Sequence, residues 1–144
     1  MRAIVSIGGL IVLVDQLTKL TAVRFLEPIG SIPIIPHIFY LSYVENTGIA
    51  FGFFQSYPQF WILIITLSVI VLGVGTWFFK LKPLAQRIAY AFILGGAIGN
   101  WIDRFHVRSV IDFFDFRIWP VFNVADSFIT IGVCMFIWFA LRGE

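Results

Sequence analysis

Charge is what this chain has least of: only 12% of its 144 residues are Asp, Glu, Lys or Arg, against 60% hydrophobic, where a soluble domain carries about 25% charge. That deficit excludes a water-soluble globule and points to an integral membrane protein. Cysteine is almost missing too. The single Cys134 lies in an apolar run, so an intramolecular disulfide is excluded and the residue reads as a small buried packing group. Two histidines, His37 and His106, without an HExxH pattern or a second cysteine leave no ligand set for a zinc protease, and neither metal nor cofactor is expected. The ten Lys and Arg form no basic stripe, which excludes nucleic acid as a partner.

What is present is a set of long apolar runs. Met1-Arg2 followed by Ala3 to Val14 resembles the start of a signal peptide, but no small-residue cleavage site follows and three further spans come later. The spacing predicts a first transmembrane helix over about 3–23, with Asp15 and Lys19 on one face at i and i+4, where an intrahelical ion pair is the plainest reading. Across about 24–58, Pro28, Pro33 and Pro36 break helix, while Ile38 to Val44 is aromatic and β-branched, so a strand-containing surface segment is expected. Asn46-Thr47-Gly48 supplies turn chemistry, Ile49 to Phe54 is too apolar to stand in water, and Tyr40, Tyr43 and Tyr57 suit an interfacial aromatic belt. Phe60 to Phe79 is twenty residues without a charge, the length that a bilayer core of about 30 Å requires. Further spans are predicted over about 84–102, with Ala91, Gly95 and Gly99 as a close-packing stripe, and about 121–141. A second outer segment, about 103–120, joins them.

Four spans put both termini on one side. Lys and Arg divide evenly between the two sides, but Lys80, Lys82 and Arg87 crowd one short connection, which makes that side cytoplasmic. At about 1.5 Å per residue, Asp15, Lys19, Asn100, Asp103, Asn123 and Asp126 all fall roughly 18–28 Å above the cytoplasmic helix ends. Polar groups from three helices therefore share the outer half of the bilayer.

The stretch Asn100 to Asp126 holds four of the eight acidic residues, and ionisable groups beside hydrocarbon point to function before stability. Asp112, read as lying in the loop, and Asp126, in the first turns of the last helix, are the candidate carboxylate pair. Two carboxylates a few ångströms apart share a proton, giving an acid and a base that together hydrolyse a peptide through an activated water. Other readings stand beside this one: Asp126 as a helix N-terminal charge, Asn123 as a cap, and Asp103-Arg104 as a local ion pair, with Arg104 a scaffold for nearby carbonyls. Asp115, Arg108, Arg117 and His106 read as a solvated outer loop.

Four blocks, in order, carry a resemblance: Asp15-Gln-Leu-Thr-Lys19; Asn46-Thr-Gly48-Ile-Ala-Phe51; Gly95 to Arg104 continuing into Val110-Ile-Asp112-Phe113; and Phe122-Asn123-Val-Ala125-Asp126. The chain resembles the lipoprotein signal peptidase (signal peptidase II) family over nearly its whole length. The resemblance implies an aspartic endopeptidase of the bacterial inner membrane that cuts a prolipoprotein signal peptide just before a diacylglyceryl-modified cysteine. It implies catalysis by Asp112 and Asp126. It also implies site-shaping or substrate-binding roles for Asp15, Lys19, Asn46, Gly48, Asn100, Asp103, Arg104, Asn123 and Ala125, and an extracytoplasmic cradle from Ile38 to Phe54. One departure stands out: Arg108 occupies a turn position where the family has glycine.

The expectation is therefore an all-α integral membrane protein, four transmembrane helices with a strand-containing cradle in one domain over 1–144. It would work as a monomer with membrane lipid and prolipoprotein as partners, its active site at the outer leaflet. A proton-relay transporter using Asp15, Lys19, Asp103 and Asp126 is the competing class. The second span, whose polar residues are only Thr66, Ser68 and Thr76, is too poor in polar groups for such a path. A structural assembly partner packing through Gly95 and Gly99 is the third class, and it leaves the acidic stretch without a purpose.

Overall fold

The computed structural model describes residues 1–47, 58–78 and 83–142. Gly48, the run Ile49 to Phe54 and Tyr57 lie outside the described residues. Among those described, four helices, α1 (Arg2–Leu26), α2 (Pro58–Phe78), α3 (Leu84–His106) and α4 (Val124–Arg142), are accompanied by three strands, β1 (Ser31–Ile35), β2 (Phe39–Asn46) and β3 (Val110–Asp115). The strands form one antiparallel sheet in the order β1-β2-β3. The chain is thus a helical protein with a small sheet: β1 and β2 are the strands expected between 24 and 58, and β3, from the second outer segment, is the addition the all-α expectation lacked.

Burial on α1 explains its place. Its buried residues are Ile4, Gly8, Ile11, Asp15, Lys19, Ala22 and Leu26, a single stripe at three- and four-residue intervals. The opposite face exposes Val5, Leu10, Leu13, Leu17 and Leu20, an inside-out pattern suited to hydrocarbon. α1 and α4 are each long and apolar enough to cross a membrane, and Ile62–Phe78 is a shorter apolar helix. α3 is more polar because it carries Asn100, Asp103 and Arg104.

Close approach of backbones holds α1, α3 and α4 together. A Cβ at Gly95 would meet the Gly8 carbonyl at 2.8 Å, so the small-residue stripe expected from the sequence does serve packing. α2 lies against α3, where Trp101 Nε1 donates to Thr66 Oγ1 at 2.8 Å and the Tyr90 hydroxyl donates to the Leu72 carbonyl. Cys134 is exposed, not buried as expected, because it lies on the face of α4 turned away from the other helices.

The second outer segment differs most from the sequence reading. Residues 110–115 form a strand buried at nearly every position, and pairing with β2 fixes it (Val44 opposite Asp112, Leu41 opposite Phe114). An isolated bridge between Phe114 and Phe122 holds residues 121 and 122 outside the helix, so α4 starts at Val124 and not at 121. Ile111 and Phe113 of β3 bury against Ala22 and Leu26 of α1, which seats the sheet on the end of the helix bundle.

Candidate active site

Asp126 and Asn123 close the N-terminus of α4 on each other. Asp126 N–H donates to Asn123 Oδ1 at 2.9 Å, and Asn123 N–H donates back to Asp126 Oδ2 at 3.3 Å. This reciprocal arrangement is a capping box. Capping and site-forming are therefore the same contacts, and the two sequence readings of Asn123 and Asp126 do not compete.

Asp112 comes from β3 and not from a loop. It is 1% exposed, and its carboxylate accepts from Asn123 Nδ2 at 2.6 Å and from Asn46 Nδ2 at 2.9 Å. The Asn123 side chain thus binds Asp112 directly while locking Asp126 in place. Asn100 completes the ring: its Nδ2 donates to Asp126 Oδ1 at 2.7 Å, and its Oδ1 accepts from Asn123 Nδ2 at 3.1 Å and Lys19 Nζ at 3.0 Å. Burial pushes the Asp112 carboxyl up to about 6, and the neighbouring Asp126 charge adds to the rise. Bonds from Asn46 and Asn123 and the more distant Lys19 charge oppose it but do not cancel it.

Beneath this pair lies a second cluster. Lys19 Nζ bridges Asp15 Oδ2 and Asp103 Oδ2, each at 2.8 Å, with all three side chains buried. The intrahelical pair expected between Asp15 and Lys19 is present. The local pair expected between Asp103 and Arg104 is replaced, because Asp103 turns inward to Lys19 on the neighbouring helix. Arg104 instead donates to the Asn100 carbonyl at 3.4 Å and stands within electrostatic range of Asp126, Asp112 and Asp103. Gly99 has no side chain where the Asp15 carboxylate sits: a Cβ there would meet Asp15 Oδ2 at 2.5 Å. Ala125, fully buried, donates its backbone N–H to Asp15 Oδ1 at 2.9 Å.

The structure thus gathers Asp15, Lys19, Asn46, Asn100, Asp103, Asp112, Asn123, Ala125 and Asp126 into one hydrogen-bonded assembly. Sequence reasoning missed Gln16, which donates to Asp103 Oδ1 at 2.9 Å and to the Gly99 carbonyl at 3.2 Å. Its signal was an amide inside an apolar span, next to Asp15. Asp115, expected in a solvated loop, is buried and accepts from Ser42 Oγ at 2.8 Å and Arg117 N–H at 2.9 Å. Burial works to raise its carboxyl, but these bonds and the Arg117 guanidinium outweigh it and hold the group below the ordinary range. Arg108 takes φ 61°, the left-handed turn conformation that glycine adopts without strain. The turn geometry survives the exchange.

Asp126 is half-buried and lines a groove of about 530 Å³ with Trp119, Pro120, Phe122, Thr130 and Ile131. Asp126 stands at the wall of this groove, whereas the buried Asp112 does not line it. Chemically, the arrangement offers one deeply buried carboxyl that retains a proton more readily, and one that meets the groove.

The chain is similar to known proteins over nearly its whole length. The family model described as signal peptidase (SPase) II matches residues 7–142. The lipoprotein signal peptidase of Caldanaerobacter subterraneus subsp. tengcongensis is 47% identical over 133 residues, 89% of this chain and 88% of that protein. That of Pelotomaculum thermopropionicum is 43% identical over 93% of this chain and 88% of its own. A solved bacterial membrane enzyme superposes with a TM-score of 0.86 at 32% identity, covering 100% of this chain and 96% of its own.

Proposed function

This chain belongs to the signal peptidase II family, and from that membership we propose how its residues carry out the family's work. It is a membrane aspartic protease that removes signal peptides from prolipoproteins. In our reading the scissile bond is the one just before the lipidated cysteine, Asp112 and Asp126 are the catalytic pair, and the groove beside Asp126 takes the substrate chain.

The observation that carries this reading is the Asn123 side chain, bonded to Asp112 at 2.6 Å while its oxygen and backbone fix Asp126. Two carboxylates held around one small amide cannot both ionise cheaply, so the pair keeps one proton. Burial favours Asp112 as the protonated partner. Asp126, facing the groove, accepts a proton from the attacking water as its oxygen adds to the scissile carbonyl. Asp112 donates a hydrogen bond to the carbonyl oxygen. The tetrahedral intermediate collapses as the proton on Asp126 passes to the leaving amine, the C–N bond breaks, and the pair returns to one shared proton.

The same reading extends to the membrane. All four helices span it as one domain, with both termini on the cytoplasmic side of the bacterial inner membrane and the pair at the outer leaflet. There water reaches the pair while acyl chains on the cysteine stay in hydrocarbon. The protein acts as a monomer in contact with lipid. The inside-out face of α1 and the crowding of Lys80, Lys82 and Arg87 on one connection support that orientation.

A synthetic precursor peptide, offered once with a diacylglyceryl cysteine and once with an unmodified cysteine, tests the proposal. Only the lipidated form is expected to be cut, and Asp112→Asn or Asp126→Asn is expected to lower kcat by about 10⁴-fold or more, as removal of one member of a catalytic unit does. Cleavage at wild-type rate by either folded variant would remove the pair from the mechanism.

A further inference from the structure

Lys19 lies below the pair and touches neither carboxylate, yet its two acidic partners reach both. Asp15 Oδ2 binds the ammonium at 2.8 Å, while Asp15 Oδ1 accepts the backbone N–H of Ala125 at 2.9 Å. Asp103 Oδ2 binds the same ammonium at 2.8 Å and accepts the backbone N–H of Ile111 at 3.2 Å. Ala125 and Ile111 are the residues immediately before Asp126 and Asp112. The third contact of the ammonium, to Asn100 Oδ1 at 3.0 Å, leads through Asn100 Nδ2 to Asp126 Oδ1 at 2.7 Å.

We propose that Lys19, Asp15 and Asp103 form a yoke that sets the separation of Asp112 and Asp126 by holding the backbone one residue before each. They are positioning residues for the reaction. Two helices meet at one cation and two further elements are tethered to it: α1 supplies Lys19 and Asp15, α3 supplies Asp103, and the backbone ends so tethered belong to β3 and α4. Backbone bonds already join Phe113 and Phe114 of β3 to Phe122 ahead of α4, and Asn123 bonds to both members of the pair; the yoke adds tethers at the residue immediately before each aspartate.

Several features suit this role better than simple stabilisation. A buried ion pair is weak grounds for stability, because removing its charges from water offsets much of the attraction. The buried ammonium is here fully engaged by three acceptors, which fixes all three in direction as well as distance. Gly99 leaves room for the Asp15 carboxylate, and Gln16 braces Asp103 from its other oxygen at 2.9 Å. Charge-assisted bonds to backbone N–H groups are directional and stronger than neutral ones, which is what a spacer between two reacting carboxyls needs.

The inference rests on the pair being catalytic, so its test has one arm that reads geometry without cleavage. In ¹⁵N-labelled protein in detergent, Asp103→Ala is expected to move the Ile111 amide proton upfield, and Asp15→Ala that of Ala125, with Asp103→Asn leaving Ile111 nearly in place because an amide oxygen still accepts. Unmoved amides would overturn the yoke whether or not the chain cleaves anything. In the second arm, Asp103→Ala lowers kcat by about 10²-fold, the loss that a misplacement of about 1 Å produces, with KM within about threefold. Asp103→Asn recovers to within about tenfold of wild type. Equal loss in both, or a loss confined to KM, would overturn the proposal. If Asp103→Ala does not fold, Lys19→Arg replaces it: a wider cation in the same place is expected to lower kcat at unchanged KM, and wild-type kcat would again overturn the yoke. Absence of cleavage by wild-type protein with both amides shifting as expected would sink the peptidase reading and leave the tether standing.

Discussion

Two pairs of carboxylates, one wholly buried and one with a member facing a groove, lie close together in this chain and are held by different means. Asp15 and Asp103 face an ammonium at 2.8 Å on each side. Asp112 and Asp126 face the neutral amides of Asn46, Asn100 and Asn123, and no ion pair engages either of them among the described residues. An ammonium at contact distance fixes the direction of each carboxylate and occupies an oxygen of each. The amides orient Asp112 and favour its ionised form, but burial outweighs them and its carboxyl stays raised. The first treatment makes a fixture, and in the proposed mechanism the second leaves a reagent.

Breaking the amide support is expected to have the largest effect. Asn123→Ala removes the bond to Asp112 and half of the capping box, and kcat should fall by roughly 10²- to 10³-fold, the scale of losing one preorganised donor. The fold should lose about 1–3 kcal/mol, through the lost cap and an unsatisfied buried group. Steady-state cleavage alongside thermal unfolding in detergent separates the two, and activity within threefold of wild type would contradict the role given to Asn123.

Turning the reagent into a fixture sharpens the contrast further. With Asp112 lifted to about 6, kcat/KM should fall above an apparent pKa near 6 as the shared proton leaves, and it should do so in the free enzyme. Asn46→Lys, which sets an ammonium beside Asp112, should move that limb to lower pH by a unit or more. The same lifted carboxyl affects stability. Between the ordinary value of 3.8 and about 6 the folded chain holds a proton that the unfolded chain has released, so stability falls as pH rises through that window and levels off above it. Asp112→Asn should flatten this part of the curve, and an unchanged slope in pH-dependent unfolding would show that Asp112 is not its source.

The smallest effect belongs to Arg108. Its φ of 61° costs an L-residue about 1–2 kcal/mol, so Arg108→Gly should raise stability by about 1 kcal/mol or less, since glycine also gains freedom when unfolded. The catalytic rate should stay as it is. A loss of stability would mean that the Arg108 side chain contributes more than its backbone costs.

Much of this arrangement was legible in the residues. The helices follow from uncharged apolar runs, and the shared level of Asp15, Asn100, Asn123 and Asp126 follows from helix rise alone. The strand at Val110–Asp115 was not legible, because Ile-Asp-Phe-Phe-Asp alternates imperfectly and both its faces are buried. Its pairing partner lies on β2, far away in sequence, and that pairing overrides local preference. The partner of Asp103 was misread for a related reason: sequence neighbours suggest Arg104, whereas helix geometry aims adjacent side chains about 100° apart and turns Asp103 toward α1. Asp115 was given to solvent because nothing local announces Ser42, which reaches it across the sheet.

One contact has a meaning for how the protein is made. The bond between Asp15 and Lys19 joins residues i and i+4 of a single helix, so it exists as soon as α1 is helical, before α3 or α4 has been synthesised. If α1 spans the bilayer as proposed, it would enter with these two charges cancelled at the depth where each alone would add about 2.5–3.5 kcal/mol to insertion. Asp103 brings its negative charge later, to an ammonium already in place. Lys19→Leu should accordingly lower the inserted fraction of α1 in a glycosylation-mapping assay of that segment alone, and an unchanged fraction would count against this order of events. The cation that later spaces the active groups first serves as the helix's own passport through the hydrocarbon.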